Sequence, residues 1–287
     1  MRSFVTLKAM VMSEYWTAPQ EIMLPCIQDK YFKIELLSGD HTFGRLISGE
    51  VKVIVADQTH TLKPGDTWFC PRNQLATFIK YAKDGQPYRS VTISLRAERL
   101  KDYYTRHEVT TQPRLHCGIK YHENHPLLES FFGSLLPYFE MEEGIPPEIV
   151  AVKMEEVITI LRILDPSVDR CLANFSEPGK IDLADFMEKN FMFNMPLQKF
   201  AYLSGRSLTT FKTDFKKAFS LSPQRWLTQK RLELAHYQLS EKNGKPADIY
   251  LEAGFENLSH FSFAFKKHFG YPPTEVVTRN QQHANSI

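Results

Sequence analysis

Apolar and polar positions change their rhythm twice along this chain. Over about the first hundred residues, short runs rich in β-branched and aromatic side chains alternate in part with polar ones, at 31–37, 50–55, 67–70 and 89–95. Turn-forming clusters separate them: Ser38-Gly39-Asp40, Ser48-Gly49-Glu50, Lys63-Pro64-Gly65-Asp66 and Lys83-Asp84-Gly85-Gln86-Pro87. Short strands with frequent turns predict a β-sandwich or small barrel. From about 125 to 172 the spacing becomes helical. Pro146-Pro147-Glu148 can open a helix whose positions Val150, Met154, Val157, Leu161 and Leu164 recur at three and four residues. Val152, Ile158, Ile160 and Ile163 widen that stripe, so the helix must be covered, either by its own chain or as a dimer seam. After Ser176-Glu177-Pro178-Gly179-Lys180, a linker composition, the pattern predicts short helices only. They fall near 182–191, 196–203, 207–219, 222–240, 246–254, 257–269 and 272–280. Ser207, Ser222-Pro223 and Asn257 mark helix starts, and Gly205, Gly244, Gly254 and Gly270 mark stops.

Within the helical third the chain repeats itself. Leu203-Ser204-Gly205 leads to Phe211, Phe215, Lys216-Lys217, Phe219 and Pro223; Ala253-Gly254-Phe255 leads to Phe261, Phe265, Lys266-Lys267, Phe269 and Pro273. The phenylalanines, Lys-Lys pairs and prolines match at an offset of 50, the glycines at 49. Each copy reads as helix–turn–helix. Phe211, Phe215 and Phe219 define a core face that Leu208 and Ala218 extend, while Thr209, Lys212, Thr213 and Lys216 lie opposite. In the second copy the exposed set is Ser259, His260, Ser262, Phe263 and Lys266. Between the copies, Trp226, Leu227, Leu232, Leu234, Ala235 and Leu239 supply the apolar faces of one long helix. Such a helix spans roughly 28 Å at 1.5 Å per residue, compatible with two successive major grooves about 34 Å apart. A pair of such units implies binding to double-stranded DNA.

Charge sharpens the division. The whole chain is near neutral at +2, but residues 182–287 carry 14 Lys+Arg against 10 Asp+Glu, or +4, leaving −2 for the rest. A basic C-terminal part suits phosphate contact. Cys26, Cys70, Cys117 and Cys171 form no CxxC, so neither a zinc finger nor a disulfide framework is expected; they fit a reducing, cytoplasmic setting. No signal peptide and no apolar run of about 20 residues is read, so no membrane partner is expected.

The segment from about 182 to 280 resembles the AraC/XylS class of transcription regulators. The resemblance rests on the repeated motifs above, with Ser222-Pro223, Arg231-Leu232-Glu233-Leu234-Ala235, Ser259-His260-Phe261 and Pro272-Pro273. Around Leu208-Thr209-Thr210-Phe211-Lys212 it is especially similar to activators of the type III secretion kind. It implies base contacts from Thr209, Lys212 and Thr213 in the first unit, and from Ser259, His260, Ser262 and Phe263 in the second. Phe263 departs from the long polar or basic side chain common there. Phosphate candidates are Arg206, Lys216, Lys217, Lys266 and Lys267; Arg231 is expected instead to pair with an acid inside the domain.

Leu46-Ile47-Ser48-Gly49-Glu50-Val51 followed by Pro64-Gly65-Asp66 resembles the cupin barrel that precedes such DNA-binding domains. A catalytic cupin needs a His-x-His pair, which this chain lacks; His41 and His60 stand alone. His116, Cys117, His122 and His125 cluster locally but read as a polar loop, so no metal and no cofactor is expected. Phe43, Trp68, Phe69 and Phe78 are candidate barrel-lining or ordinary core residues. The expected architecture is α+β and multi-domain: a cupin-like domain over 1–110, a helical linker and dimerisation region over 111–178 (Val150, Met154, Val157, Leu161, Leu164), and a double helix-turn-helix domain over 179–287. The expected function is a cytoplasmic transcription activator, not an enzyme. Its expected partners are double-stranded DNA, RNA polymerase, a second copy of the chain, and a small-molecule effector or regulatory protein. The alternatives are a metal-dependent cupin enzyme with a helical accessory domain, and a repressor of the same class.

Overall fold

In the computed structural model, described over residues 21–27, 31–55, 58–109, 117–141, 144–241, 245–255 and 257–276, the chain forms two units that divide between Ser176 and Glu177. Among its described residues the first unit holds ten strands: β1 (Ile22–Met23), β2 (Cys26–Ile27), β3 (Tyr31–Leu37), β4 (His41–Ser48), β5 (Glu50–Val55), β6 (Gln58–Leu62), β7 (Thr67–Cys70), β8 (Leu75–Tyr81), β9 (Tyr88–Leu95) and β10 (Lys120–His122). Its helices are α1 (Ala97–Arg106), α2 (Pro126–Leu135), α3 (Pro147–Leu164) and α4 (Asp169–Leu172). Among the described residues the strands form two antiparallel sheets, ordered β1-β9-β4-β7-β10, with β2 also on β9, and β3-β8-β5-β6. The cupin-like expectation is therefore met by two facing sheets rather than a closed barrel.

The space between the sheets is filled by Ile34, Leu36, Leu46, Val51, Val53, Trp68, Phe78 and Tyr88. The other face of the first sheet offers Phe43, Phe69, Val91, Ile93 and Leu95 to α1, α2 and α3. That sheet is covered on both sides, so β4 loses the alternation by which strands are recognised: His41 through Leu46 are all buried. Gly44 is required inside β4, because a Cβ there would lie 2.1 Å from the Trp68 ring. Of the four aromatic residues expected to line a barrel, Trp68 and Phe78 face the space between the sheets, whereas Phe43 and Phe69 point to the helices.

The stripe on α3 settles the choice between core and seam. Met154, Val157 and Leu161 are at most 2% exposed, and Val150 and Leu164 pack against the same core. The expected dimerisation face is thus the face α3 buries in its own unit. Val152 and Ile163 point outward instead. A buried network holds the helices together: Arg162 bonds Asp169 at 2.9 Å and Tyr103 at 3.2 Å, and the Tyr104 hydroxyl donates to Asp169 at 2.7 Å. Burial, then the Asp169 carboxylate, push the Tyr104 hydroxyl above its ordinary pKa. Against the expectation from spacing, Cys117 and Cys171 form a disulfide across 54 residues that ties the segment before β10 to α4.

The second unit is helical: α5 (Leu183–Asn190), α6 (Leu197–Leu203), α7 (Leu208–Phe219), α8 (Pro223–Glu241), α9 (Pro246–Glu252) and α10 (Leu258–Phe269). Of the helix expected over 272–280, the described residues show a 3-10 turn at Pro273–Glu275 followed by helical Val276; the remainder lies outside the described residues, as does Gly244. Two cores flank α8. Its first half gives Trp226 and Leu227 to the core of α5, α6 and α7; its second half gives Leu232, Ala235 and Leu239 to the core of α9 and α10.

Candidate nucleic-acid interface

Each repeat builds one exposed helix by the same devices. Ser207 caps α7 by accepting from the Thr210 N–H at 3.2 Å, and Asn257 caps α10 by accepting from the His260 N–H at 2.7 Å. Both helices end on a left-handed residue, Ser220 at φ 56° and Gly270 at φ 85°, whose N–H returns to Lys216 and Lys266 respectively. Phe211 and Phe215 are fully buried in α7, as are Phe261 and Phe265 in α10. At roughly 1.5–3 kcal/mol per buried side chain, these pairs fix the rotation of each helix about its axis.

The tight turn before α7 needs its glycine. Gly205 has φ +66°, and a Cβ there would stand 2.3 Å from the Gly179 carbonyl carbon. Gly254 plays the same part before α10, with φ +81° and the Met192 carbonyl oxygen 2.9 Å from where a Cβ would be.

With the phenylalanines turned inward, Thr209, Lys212, Thr213, Lys216 and Lys217 are exposed on α7. Ser259, His260, Phe263, Lys266 and Lys267 are exposed on α10, and Ser262 is half-buried. Ala218, expected on the core face of α7, is exposed as well, because the rotation set by Phe211 and Phe215 carries it past the core edge. The Thr213 hydroxyl donates to the Thr209 carbonyl at 3.1 Å, which leaves its oxygen lone pairs facing outward as acceptors. Lys212 also lines a cavity of about 350 Å³ with Gln198, Gln224, Thr228 and Arg231. Among the described residues, no ion pair engages Lys212, Lys216, Lys217, Lys266 or Lys267.

Two arginines serve the fold. Arg206, expected on phosphate, has a side chain only 7% exposed; it pairs with Asp214 at 3.0 Å and donates to the Ile181 and Ser204 carbonyls. Its hydrogen bond, with Lys180 nearby, holds the Asp214 carboxyl below its ordinary pKa. An arginine spent on an internal acid and two internal carbonyls is not presented to DNA. Arg231 on α8, expected to pair with an acid, donates to backbone carbonyls of the domain. It donates to Phe191 at 3.0 Å, Phe193 at 2.6 Å and Gly254 at 3.3 Å. Those carbonyls belong to the turn after α5 and the turn before α10, so one guanidinium ties the two halves together.

The histidine cluster does not assemble. His122 lies on β10, His125 caps α2 through Leu127, Cys117 is in the disulfide, and His116 lies outside the described residues. Among the described residues no three His, Cys, Asp or Glu side chains converge as a metal site. His60 packs against Tyr121 with the rings tilted and their centroids 4.3 Å apart. The burial of two ionisable groups, His41 and Lys80, was not legible in the sequence. His41 accepts from the Arg72 N–H at 3.1 Å; burial, then the Arg72 charge, lower its pKa to about 3. Burial lowers Lys80, over the Tyr88 ring, to about 8. Only a strand assignment for β8 and β4 could have found them, since neither sits in a motif.

A duplicated, capped helix with an exposed basic and hydroxyl-rich face, held on a shared rod, defines a helix-turn-helix DNA-binding regulator. The comparisons agree. Residues 201–279 match the helix-turn-helix domain family, and residues 41–167 match the ExsA N-terminal regulatory domain. The chain is 28% identical over 236 residues to the HTH-type transcriptional regulator ExsA of Pseudomonas aeruginosa, covering 80% of this chain and 83% of that protein. It is 27% identical over 246 residues to the virulence regulon transcriptional activator VirF of Yersinia enterocolitica, covering 80% and 86%. Among solved structures it is similar to ToxT of Vibrio cholerae, with a TM-score of 0.40 at 10% identity over 90% of this chain and 97% of that one. Over both units the chain is thus similar to the AraC/XylS family of regulators. That family is one of transcription regulators, which removes the metal-dependent cupin enzyme. Among the described residues no helix is long and apolar enough to cross a membrane.

Proposed function

We propose that this protein is a transcription activator that places α7 and α10 in two successive major grooves on one face of double-stranded DNA. The observation that carries the reading is the duplicated exposed face on a rod pinned by Arg231. Thr209, Lys212 and Thr213 contact base edges from α7; Ser259, His260, Ser262 and Phe263 do so from α10. Lys216, Lys217, Lys266 and Lys267 sit on phosphates. Activation, rather than repression, is supported by the likeness to VirF, a transcriptional activator. It implies contact with RNA polymerase and action in the cytoplasm.

In the same reading the N-terminal unit receives a signal, from a small molecule or a regulatory protein, that changes DNA affinity or pairing with a second copy. That pairing uses a surface other than the buried stripe of α3. The test is selection of duplexes from a random library by the full-length chain at near-physiological salt. Two short enriched blocks about one helical turn apart support the proposal. Uniform binding of every sequence, abolished together by salt, refutes it.

A further inference from the structure

Phe263 is the anomaly on the exposed face of α10. It is 69% exposed, although Phe261 and Phe265 on the same helix are wholly buried. At the offset of the repeat its counterpart is Thr213, a hydroxyl-bearing residue equally turned outward. Ser259 stands one turn before it, and Lys266 and Lys267 one turn after, all exposed. The face is therefore apolar at its centre and cationic beside it.

Its occupant must offer the reverse: an apolar group within reach of negative charge. The DNA major groove has that form. Its floor carries one apolar substituent, the C5 methyl of thymine, and phosphates run along both edges. A phenyl ring cannot hydrogen-bond a base edge, but it removes a methyl group from water.

We infer that Phe263 is a specificity-determining residue that reads a thymine C5 methyl in the block bound by α10. The first unit then selects bases by hydrogen bonds from Lys212 and its threonines, and the second selects thymine by burial of its methyl. This rests on the DNA-binding reading above and adds to it the base and the chemistry by which one position is chosen.

Deoxyuridine tests it, because uracil keeps every hydrogen-bonding group of thymine and lacks only the methyl. The full-length chain is first used to select its motif. Each thymine in turn is then replaced by deoxyuridine, and affinity is measured by fluorescence anisotropy at fixed salt. One replacement in the second block is expected to weaken binding about fourfold, the factor equivalent to one buried methyl at ~0.8 kcal/mol. Phe263→Ala is expected to bind the thymine and uracil duplexes equally at that position, and Phe263→Leu to keep part of the discrimination. Both variants change an exposed helical position to a good helix former, so folding is preserved.

Tolerance of every replacement, absence of thymine from the second block, or unchanged uracil sensitivity in Phe263→Ala would each overturn the assignment while leaving DNA recognition intact. So would a Phe263→Ala protein that binds all duplexes like the parent yet no longer activates, which marks a protein partner instead. A folded chain that enriches no motif takes down the DNA-binding reading, and this inference with it.

Discussion

Arg231 gives the sharpest test of how the two exposed helices, α7 and α10, are held. Replacing it by methionine keeps the aliphatic stem that packs beside Gly254 and removes the guanidinium. The carbonyls of Phe191, Phe193 and Gly254 then lose a shared donor. A hydrogen bond to a charged group contributes ~1.5–3 kcal/mol. Only the bonds at 2.6 and 3.0 Å have strong geometry, and Arg231 is half-buried, so water can replace part of what is lost. Two bonds at the lower end of the range give about 3 kcal/mol. For a unit of this size that lowers Tm by roughly 10–20 °C. Arg231→Lys recovers little, because an ammonium group lacks the planar fork that spans both turns. Calorimetry of the full-length chain follows the helical unit's transition. Anisotropy then compares duplexes bearing one block with duplexes bearing both. The expected result is a lower transition and a selective loss for the two-block duplex, since the halves no longer hold one separation. A variant within about 0.5 kcal/mol of the parent, with undiminished two-block affinity, refutes the argument.

Lys212→Ala should relax preference at one base of the first block by about 1–3 kcal/mol, read from repeated library selection; an unchanged motif shows that α7 is turned otherwise. Lys216→Ala should weaken binding to all duplexes alike and reduce the slope of log affinity against log salt by about 0.9. His41 has a folded pKa of about 3, below the ordinary 6.5, so the unfolded chain takes up the proton first as pH falls. Stability of the N-terminal unit is then lost from about pH 6.5 downward, by roughly 2 kcal/mol between pH 7 and pH 5. Urea titrations should show that loss reduced by the same amount in His41→Asn; equal pH profiles would count against a buried neutral imidazole. Cys171→Ser should cost the same unit up to about 4 kcal/mol under oxidising conditions, as expected for a cross-link over 54 residues, and little after thiol reduction. No difference under oxidising conditions would contradict the cross-link.

The repeat was legible because two copies impose the same burial on the same spacing. Phe211/Phe215 and Phe261/Phe265 fixed which face of each helix is exposed, and the caps at Ser207 and Asn257 fixed where each begins. Strands β3, β5, β7 and β9 also lay where β-rich runs and turns put them. Strand β4 did not declare itself, because burial on both faces erases alternation and its Gly44 answers to the Trp68 ring, a neighbour distant in sequence. The stripe on α3 shows the limit of periodicity. Spacing reveals that Met154, Val157 and Leu161 must be covered, but not by which chain. Arg206 shows the same limit: a cation in a DNA-binding domain reads as a phosphate partner, and only the turns folded around it show the carbonyls it serves, as they do for Arg231.

The two halves share a skeleton and differ in what they present. Positions that bury side chains match across the repeat, as do the caps and the lysines proposed to meet phosphate. The proposed reading positions diverge: Lys212 against Ser262, and Thr213 against Phe263. A skeleton is kept because both halves solve one packing problem, whereas the readers need not agree unless the bases beneath them do. A cation with two hydroxyls and a phenyl ring with hydroxyls cannot prefer one sequence. The two blocks of the proposed site must therefore differ. An unlike pair of blocks, read by halves locked in one order through Arg231, gives the bound chain a direction along the DNA. That direction is what an activator needs in order to face a polymerase on one side only.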